Sequence, residues 1–377
     1  MATVGERTSI VIGEYRLNRP DEIETPAFLV YEDMVRYNVA EVVRICGSAD
    51  RVVPHAKTHK SAEVLKLQME GGITAFKCAT LEEAELLAEN GVKEIIISFP
   101  MLHPAKIRRF LSLAQRHPDV DLKTIASTPE HLDAMSAAAL AADLEVGIYM
   151  DIDTGMRRTG VQPGREAGEF YARIAGMPGL RAIGVHLFDG HVLGTVDAVK
   201  RQAQIDESIE HIRDVWDRAE KQGLEVTDNV VGGSWSFHMF LKEKRLRVSP
   251  GTWIYWDVRN SAMKELGFKI AGVVLGQVID RDPEMDTVTL DVGSKAASPD
   301  LAIPDRFRII GHEQAQVVSQ SEEHGVVKLN GATLNVGDMV LAAPGHACTT
   351  SHLYPEALVV SDDGDVVGKY GHGARDR

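Results

Sequence analysis

The 377-residue sequence has few cysteines and no long apolar run, and each absence excludes a class of protein. Its three cysteines, Cys46, Cys78 and Cys348, are too few and odd in number for a disulfide framework. No uninterrupted apolar stretch reaches the roughly 18 residues that a membrane-spanning helix requires. The first seven residues lack the apolar core of a secretion signal. These absences predict a cytoplasmic protein that does not enter the membrane.

The sequence also lacks an excess of positive charge. Its 41 lysine and arginine residues stand against 55 aspartate and glutamate residues, which gives a formal net charge of −14 at pH 7. Nucleic acid and anionic lipid surfaces would repel such a chain. The hydrophobic fraction of 44% is ordinary for a globular protein. We therefore expect an enzyme that acts on a small molecule, with no nucleic-acid or membrane partner.

From Thr25 onward, short apolar runs alternate with segments of helical periodicity, which is typical of successive βα units. Eight strands are expected, at residues 27–31, 52–55, 75–78, 94–98, 122–126, 146–151, 182–186 and 226–231. Eight such units close most economically into a (β/α)8 barrel, whose active site lies at the carboxyl ends of the strands. A doubly wound parallel sheet is the alternative that periodicity leaves open.

After Trp256 the alternation approaches period two and the helical pattern disappears, which predicts a β domain. The predicted fold class is therefore α/β, a TIM barrel followed by a smaller β domain. We expect an N-terminal segment at 1–24 that joins the β domain, a barrel at 25–262 and the β domain at 263–377. Residues 10–15 are expected to add an edge strand to that domain.

Lys57 lies between His55 and His59, directly after a predicted strand. Burial and neighbouring positive charge lower the pKa of a lysine, which makes its amine a nucleophile for an aldehyde. An ordinary basic loop is the alternative interpretation. On composition alone, Lys60 and Lys295 compete with Lys57 for this role.

Two turns follow the last predicted barrel strand: Gly232-Gly233-Ser234 and Gly251-Thr252. Such turns present backbone N–H groups to a phosphate, and TIM barrels often bind phosphate after strands seven and eight. Simple turns would carry the same residues. Together with Lys57 across the barrel mouth, they suggest pyridoxal 5'-phosphate, held at its phosphate and at its aldehyde.

The run Asp153-Thr154-Gly155-Met156-Arg157-Arg158-Thr159-Gly160 carries the pattern Asp-Thr-Gly-Met-x-Arg-x-Gly. This pattern resembles the loop of alanine racemase and its relatives, the fold-type III pyridoxal phosphate enzymes. The resemblance implies that Arg158 lies near the pyridine nitrogen of the cofactor and keeps it unprotonated.

Seven ordered motifs narrow the resemblance to the D-threonine aldolase and D-serine dehydratase family. They are 25–26, 54–60, 184–191, 232–234, 291–295, 323–325 and 346–350. The resemblance implies a barrel with a β domain, a homodimer, pyridoxal phosphate bound to Lys57 and a divalent metal near the substrate hydroxyl. We further predict that His59 and His191 act with Lys57 in catalysis and that His186 contacts the cofactor. For His186, Asp189 and His191, the roles of base, metal-site neighbour and packing residue stay open.

His346 and Cys348 are the predicted metal ligands, because side chains two residues apart on an extended segment point the same way. Well-known aldolases of the family have aspartate in place of Cys348, whereas the dehydratases have cysteine. Thiolate favours zinc, and carboxylate favours manganese or magnesium. Phe188 is a second departure, since relatives often have tyrosine there.

We therefore expect a lyase that cleaves D-3-hydroxy amino acids by a retro-aldol reaction, as from D-threonine to glycine and acetaldehyde. Zinc-dependent, deaminating dehydration of D-serine or D-3-hydroxyaspartate is the second interpretation, and Cys348 favours it. Amino-acid racemization is a more remote alternative, because alanine racemase shares the Arg158 motif. A noncatalytic pyridoxal phosphate carrier would share the lysine but lacks a second domain of this size and the His346–Cys348 pair.

Overall fold

The computed structural model describes residues 9–377. The first eight residues, which belong to the predicted N-terminal segment and to the stretch searched for a signal, lie outside the described part. The strands are β1 (Ser9–Ile12), β2 (Tyr15–Asn18), β3 (Ala27–Tyr31), β4 (Ala75–Cys78), β5 (Glu94–Ile97), β6 (Asp121–Ala126), β7 (Val146–Asp151), β8 (Leu180–Leu187), β9 (Val230–Val231), β10 (Arg247–Val248), β11 (Gly272–Asp282), β12 (Thr287–Leu290), β13 (Phe307–Ile309), β14 (Gln316–Gln320), β15 (Gly325–Lys328), β16 (Met339–Pro344), β17 (Glu356–Val360) and β18 (Val366–Gly371). The helices are α1 (Glu32–Cys46), α2 (Ala62–Glu70), α3 (Leu81–Glu89), α4 (Pro104–Arg116), α5 (Pro129–Ala141), α6 (Arg165–Gly176), α7 (Ala198–Glu220), α8 (Phe237–Phe240) and α9 (Ala347–Ser351).

The described chain divides into two compact units that interleave along the sequence. The sheet unit comprises residues 9–41, 58–67 and 252–375. The barrel unit comprises 42–57 and 68–251, with the last two residues of the chain. The limits predicted from the sequence, at 24/25 and 262/263, stay a prediction.

The barrel unit contains seven parallel strands in the order β10-β9-β8-β7-β6-β5-β4. Two single bridges link the ends of this sheet through the segment 52–55, because Val52 pairs with Val248 and His55 pairs with Lys77. The segment thus acts as an eighth stave. The predicted α/β class, a barrel followed by a mostly β region, is confirmed.

One predicted barrel strand is nevertheless wrong. β3, expected as the first stave, pairs with β11 and β17 in the sheet unit. Its place among the eight staves is taken by β10, a two-residue strand that pairs with β9. The sequence of β3 is apolar throughout and suits any buried strand, so periodicity cannot assign it to one sheet. Two residues are too few to give β10 a periodic signal.

The interior of the barrel is filled by apolar side chains from successive staves. These buried residues are Val53, Ala75, Ile96, Ile125, Tyr149, Ile183 and Val230. Parallel strands covered by helices are buried on both faces, which explains why β4 and β7 are buried along their whole length. A packed interior leaves the carboxyl ends of the strands as the place where a ligand can bind.

The sheet unit contains a nine-stranded, largely antiparallel sheet and a separate hairpin. The sheet path runs β14-β15-β12-β11-β3-β17-β18, and β16 joins β11 to β13. β1 and β2 pair only with each other among the described strands. The expected edge strand at residues 10–15 is therefore wrong, because a turn at Gly13 folds this segment back on itself.

The helix after β4, α3, begins at a capping box. Thr80 Oγ1 accepts the N–H of Glu83 at 3.2 Å, and the Glu83 carboxylate accepts the N–H of Ala79 at 2.7 Å. Within residues 9–377, no helix combines the length and the apolar character needed to cross a membrane.

Candidate active site

Lys57 lies on a single 3-10 turn, Ala56–Thr58, that follows the stave segment 52–55. Its backbone N–H donates to Nδ1 of His55 at 3.3 Å. Nδ1 is therefore the accepting nitrogen, and Nε2 carries the proton of the neutral ring and donates to Ser98 Oγ at 3.3 Å. The Lys57 amine lies 5.6 Å from the centre of the Phe188 ring. The imidazole thus fixes the turn that presents Lys57.

Lys57 opens into a cavity of about 330 Å³, which lies within the usual size range of small-molecule sites. The lining residues are His55, Lys57, Lys77, Ala79, Ser98, Phe99, Pro100, Arg158, Thr159, His186 and Phe188. Three of them are cations and none is a carboxylate, although the whole chain is acidic. Two larger cavities, of about 570 and 810 Å³, lie in the sheet unit, and no buried lysine or histidine lines them in the described residues.

A hydrogen-bonded chain supports one wall of this cavity. Thr159 Oγ1 donates to Asp151 at 2.7 Å, and the other oxygen of Asp151 accepts Nδ1–H of His186 at 2.7 Å. Nε2 of His186 is then free to accept the amine of Lys77, at 3.3 Å. Burial, and then the charge of Lys77, lower the pKa of His186, which keeps the ring neutral. His186, which is predicted to contact the cofactor, lines this cavity.

Lys77 is a site residue that sequence reasoning missed. It is 1% exposed, and burial followed by the charge of Lys57 lowers its pKa to about 7. A signal was present, because Lys77 lies two residues after the core residue Ala75 on β4 and so faces the barrel interior. A charged residue at an inward position of an apolar strand marks a functional candidate.

The motif loop after β7 is built around Asp153. Its carboxylate accepts the N–H groups of Gly155 and Arg157 at 2.9 and 3.0 Å. Arg157 has a positive φ of 54°, which turns the chain before Arg158. The Arg158 guanidinium is exposed and lies 4.8 Å from the centre of the Phe188 ring. Lys57 and Arg158 thus approach one aromatic ring in the same cavity.

The predicted phosphate turn follows β9. Gly232 has a φ of +79°, and a β-carbon at Gly233 would lie 3.1 Å from the Phe188 ring, so both positions favour glycine. The N–H of Gly233 donates to Ser236 Oγ at 3.1 Å. The Ser234 hydroxyl accepts the N–H of Gly251 at 3.2 Å. Two of the N–H groups expected to face a phosphate thus donate to side-chain hydroxyls.

Asp189, which is buried, and His191, which is half-buried, follow β8, and each has an unsatisfied buried polar atom. Among the described residues, Oδ2 of Asp189 and Nδ1 of His191 lack a hydrogen-bond partner. Burial raises the pKa of Asp189. His191 packs closely against Gly155, where a β-carbon would lie 3.2 Å from the ring. Unsatisfied buried groups next to a motif loop are what a site without its ligand is expected to contain.

His59, predicted as catalytic, is buried within the sheet unit. Its Nδ1 accepts the N–H of Ser61 at 3.2 Å, and burial lowers its pKa to about 3. A neutral, fully buried ring of this kind does not line the 330 Å³ cavity. Its catalytic role stays a prediction.

The predicted metal ligands lie at the start of α9, in the sheet unit. His346 is the extended N-cap residue, but Cys348 lies inside the helix, so the expectation of one extended segment is wrong. The two side chains still meet, because the first helical turn brings Cys348 back to the cap, where it hydrogen-bonds His346. Nδ1 of His346 lies 2.6 Å from Asp300, and Cys348 Sγ lies 3.1 and 3.5 Å from the hydroxyls of Thr58 and Thr252.

Asp300 gives His346 the orientation of a metal-binding imidazole. A carboxylate on one ring nitrogen leaves the other for a metal, as in carboxylate–histidine–zinc sites. Burial alone would lower the pKa of His346, but the Cys348 thiolate and then Asp300 raise it to about 10. Among residues 9–377, no three His, Cys, Asp or Glu side chains converge as a metal site. The predicted metal site would therefore have two protein ligands, His346 and Cys348.

Family models match two parts of the chain. Residues 30–258 match "Alanine racemase, N-terminal domain", and residues 271–360 match "Putative serine dehydratase domain". The first match alone covers more than half of the sequence.

The chain is also similar to individual proteins along most of its length. It is 27% identical to the 3-hydroxy-D-aspartate aldolase of Paracoccus denitrificans (strain Pd 1222), over 88% of this chain and 87% of that protein. It is 23% identical to the D-serine dehydratase of Dictyostelium discoideum, over 93% of this chain and 96% of that protein. The fold matches the D-threonine aldolase of Filomicrobium marinum with a TM-score of 0.87 at 23% identity, covering 94% of this chain and 96% of that one. The chain therefore belongs to the alanine racemase N-terminal domain family and, within it, to the group of D-threonine aldolase and D-serine dehydratase-like proteins.

Proposed function

We propose that the protein is a pyridoxal phosphate- and divalent-metal-dependent lyase that cleaves D-3-hydroxy amino acids by a retro-aldol reaction. D-Threonine would then give glycine and acetaldehyde. The observation that carries the proposal is the cationic cavity around Lys57 in a chain of this family. A relative named as an aldolase, which the chain matches over 88% of its length, supports the choice of reaction.

The residues of the barrel unit fit the cofactor. Lys57 would hold its aldehyde, Arg158 its ring nitrogen, and the turn of Gly232, Gly233 and Ser234 its phosphate. The unsatisfied Oδ2 of Asp189 is a further buried polar group that a ligand could satisfy. When bound, the cofactor supplies an electron sink for the negative charge that bond cleavage leaves on the α-carbon.

The protein's own side chains hold Lys57 in place and can transfer protons in this cavity. His55 holds the Lys57 turn through its backbone N–H, and Ser98 holds His55 in turn. His186 presents a neutral ring to the ligand, because burial and then the charge of Lys77 lower its pKa, and Asp151 accepts its Nδ1–H. Lys57, as an amine in a partly closed site, is the group best suited to accept a proton there. His191 is the second candidate, with Nδ1 unsatisfied.

His346 and Cys348 would hold the metal. An ion with only these two protein ligands keeps coordination positions for water or for the substrate hydroxyl, as catalytic sites do. The thiolate favours zinc over manganese or magnesium. Asp300 would keep the imidazole in its binding orientation, and its own pKa, which burial alone would raise, is lowered to about 2 by hydrogen bonds from His346 and Thr349.

Dehydration is the second candidate, and two observations favour it. Cys348 stands where aldolases of the family carry aspartate, and residues 271–360 match the serine dehydratase domain model. In that reaction D-serine loses water and then, by hydrolysis, ammonia, so that pyruvate remains. The same Lys57, His346 and Cys348 would serve both reactions.

Product analysis by mass spectrometry distinguishes the two reactions. The protein would be incubated with pyridoxal phosphate and either manganese or zinc, with D-threonine and D-serine in separate samples. Glycine with acetaldehyde from D-threonine is the expected result. Pyruvate from D-serine together with 2-oxobutanoate from D-threonine would replace the aldolase proposal by the dehydratase. Appearance of L-alanine in a third sample that contains D-alanine, resolved by chiral chromatography, would indicate a racemase.

A further inference from the structure

The sulfur of Cys348 lies beside two threonine hydroxyls to which the proposed function gives no role at the metal. Thr58 Oγ1 is 3.1 Å from Cys348 Sγ, and Thr252 Oγ1 is 3.5 Å from it. Both are hydrogen-bonding distances for a sulfur atom. The sequence assigns Thr252, together with Gly251, to the cofactor phosphate, whereas its hydroxyl contacts a predicted metal ligand.

The chemistry of a metal-bound cysteine fixes the direction of these two hydrogen bonds. A thiol that coordinates a metal is deprotonated, so its sulfur can only accept. Each threonine hydroxyl has one O–H to donate. Thr58 and Thr252 would therefore both donate to the Cys348 sulfur when a metal is bound. Donors of this kind hold a ligand in one orientation and tune the bond that it makes to the metal.

Thr58 is held in place by the same helix that carries Cys348. It is buried, and its carbonyl oxygen accepts the hydroxyl of Ser351 at 2.6 Å. Ser351 lies three residues after Cys348 on α9, and its hydroxyl is also 3.2 Å from the Cys348 carbonyl oxygen. Thr58 thus bonds α9 at two points, through its hydroxyl and through its carbonyl oxygen. A donor that is already fixed adds little ordering cost when a ligand binds.

Thr252 is fixed by a buried turn. It begins the 3-10 turn Thr252–Ile254, and its carbonyl oxygen accepts the N–H groups of Tyr255 at 3.2 Å and of Trp256 at 2.7 Å. The four residues that follow Thr252 are all buried. Packed neighbours of this size leave the backbone of Thr252 little freedom to move. Its hydroxyl is therefore presented to the sulfur from a rigid support.

The other predicted ligand also has an outer partner, because Asp300 lies 2.6 Å from Nδ1 of His346. Each of the two ligands thus contacts a polar side chain that is not itself a predicted ligand. Within residues 9–377, no third His, Cys, Asp or Glu side chain joins them. The affinity of a site with only two protein ligands depends strongly on how well those two are oriented.

We propose that Thr58 and Thr252 are positioning residues of the metal site, whose hydroxyls hold the Cys348 sulfur in its binding orientation and set how tightly the metal is held. The inference rests on the proposed function for the presence of a metal at His346 and Cys348. Both threonines act through the sulfur.

The test removes each hydroxyl and measures the bond between the sulfur and a metal. Protein with pyridoxal phosphate bound would be freed of metal with a chelator and titrated with cobalt(II), whose bond to a thiolate gives a charge-transfer absorption. The difference spectrum against zinc-loaded protein removes the absorbance of the cofactor. The variants are Thr58→Val and Thr252→Val, with Thr58→Ser and Thr252→Ser as their conservative counterparts. Thr227→Val is the control, since the Thr227 hydroxyl donates to a backbone carbonyl oxygen of the barrel unit at 3.1 Å.

Each valine variant is expected to lower the affinity for cobalt by roughly tenfold, the lower end of what the loss of an outer partner costs. The charge-transfer band should also move to longer wavelength, because a sulfur that loses a hydrogen-bond donor holds its electrons less tightly. Both serine variants should stay near wild type in affinity and band position, since serine keeps the hydroxyl. Thr227→Val should match wild type in both measurements.

Two results would overturn the inference. One is a cobalt band that keeps its wild-type position in both valine variants, which would leave the threonines a role in folding only. The other concerns Thr252, and would return it to the phosphate: Thr252→Val that binds pyridoxal phosphate more weakly, binds pyridoxal as wild type does and keeps the cobalt band unchanged.

Failure of the proposed function has a different signature. Wild-type protein without a cobalt band that Cys348→Ser abolishes would show that Cys348 binds no metal, which removes the metal from the proposed function. Wild-type protein that forms no lyase product, although the valine variants still shift the band, would overturn the proposed reaction and leave the positioning role in place.

Discussion

Lys57 owes its position to its neighbours in sequence and in space. Lys57 lies on the 3-10 turn Ala56–Thr58. The hydrogen bond from the Lys57 N–H to His55, and the hydrogen bond from His55 to Ser98, attach this turn to the barrel wall. A side chain held in this way can meet an aldehyde in one orientation, which is what covalent catalysis requires.

Replacing Lys57 by alanine should abolish the visible absorbance of the lysine-bound cofactor, because no other amine is expected to hold the aldehyde. The spectrum of protein incubated with pyridoxal phosphate and then desalted checks this. Lys77→Met is the matched control, since it removes the other cavity amine and should keep the absorbance. A chromophore that survives in Lys57→Ala but not in Lys77→Met would make Lys77 the anchor.

Replacing His346 by alanine should release the metal and stop turnover while the cofactor absorbance persists, because the two ligand sets are separate. Bound metal would be measured by plasma mass spectrometry after dialysis. Asp300→Asn, which keeps both ligands but weakens the orientation of the imidazole, should lower metal affinity by roughly 10–100-fold. Unchanged metal content and unchanged activity in His346→Ala would remove the metal site from these residues.

The barrel strands carry different sets of charged residues at their two ends. The carboxyl ends hold the cationic cavity, whereas the amino ends hold an ion-pair cluster. Arg247 at the start of β10 donates to Glu94 at 3.0 Å and to Asp228 at 2.8 Å, and Lys123 donates to Glu94 at 2.7 Å. In barrels of this class, polar residues at the amino ends stabilise the fold and those at the carboxyl ends act on the ligand.

Arg247→Met should lower the free energy of unfolding, because Glu94 and Asp228 lose their shared partner. We expect about 2–3 kcal/mol, somewhat below the roughly 3–5 kcal/mol of a fully buried pair. Urea unfolding followed by circular dichroism measures it. Lys93→Met, which breaks the exposed pair with Asp119, is the control and should leave the free energy of unfolding nearly unchanged, because water and salt screen an exposed pair. Equal effects of the two changes would show that the cluster does not stabilise the barrel.

The same ion-pair cluster should make the free energy of unfolding depend on pH in the acidic range. Burial alone would raise the pKa of Glu94, but hydrogen bonds and charge from Arg247 and Lys123 lower it from 4.5 to about 2. The ionised carboxylate therefore stabilises the fold above about pH 4.5, and this contribution is lost as pH falls from 4.5 toward 2. Unfolding free energies measured across this range should fall less steeply in Glu94→Gln than in wild type. An identical slope would contradict the assignment.

At the scale of the whole molecule, charge is distributed unevenly. The chain carries −14 overall, yet the cavity wall is cationic, so a small anionic substrate is repelled by most of the surface and attracted at one point. The same net charge opposes binding to nucleic acid.

The family resemblance predicts a homodimer, and sedimentation equilibrium would measure it. A mass twice that of the chain, unchanged between low and moderate salt, is the expected outcome. Lys57→Ala should sediment identically, since it alters only the cavity. A monomer at micromolar concentration that still turns over substrate would contradict the prediction.

The sequence by itself determined a run of successive βα units, the β region that follows it and, through its motifs, the family. Parallel strands that are buried on both faces leave continuous apolar runs, and the motifs at 54–60, 151–160 and 232–234 lie in loops whose residues are fixed by backbone geometry. Lys57, Arg158 and His186 line one cavity because the carboxyl ends of parallel strands meet at one edge. Local pattern was sufficient for these features.

Only the tertiary structure decided which sheet β3 joins, that β10 closes the barrel with the segment 52–55, and that Cys348 meets His346 from within a helix. It also decided the position of Lys77, buried beside His186 and 109 residues from it along the chain. Pairing partners and buried charges depend on contacts between distant segments, and neighbouring residues in the sequence carry no record of them. The burial that lowers the pKa of Lys77 exists only once the barrel has closed.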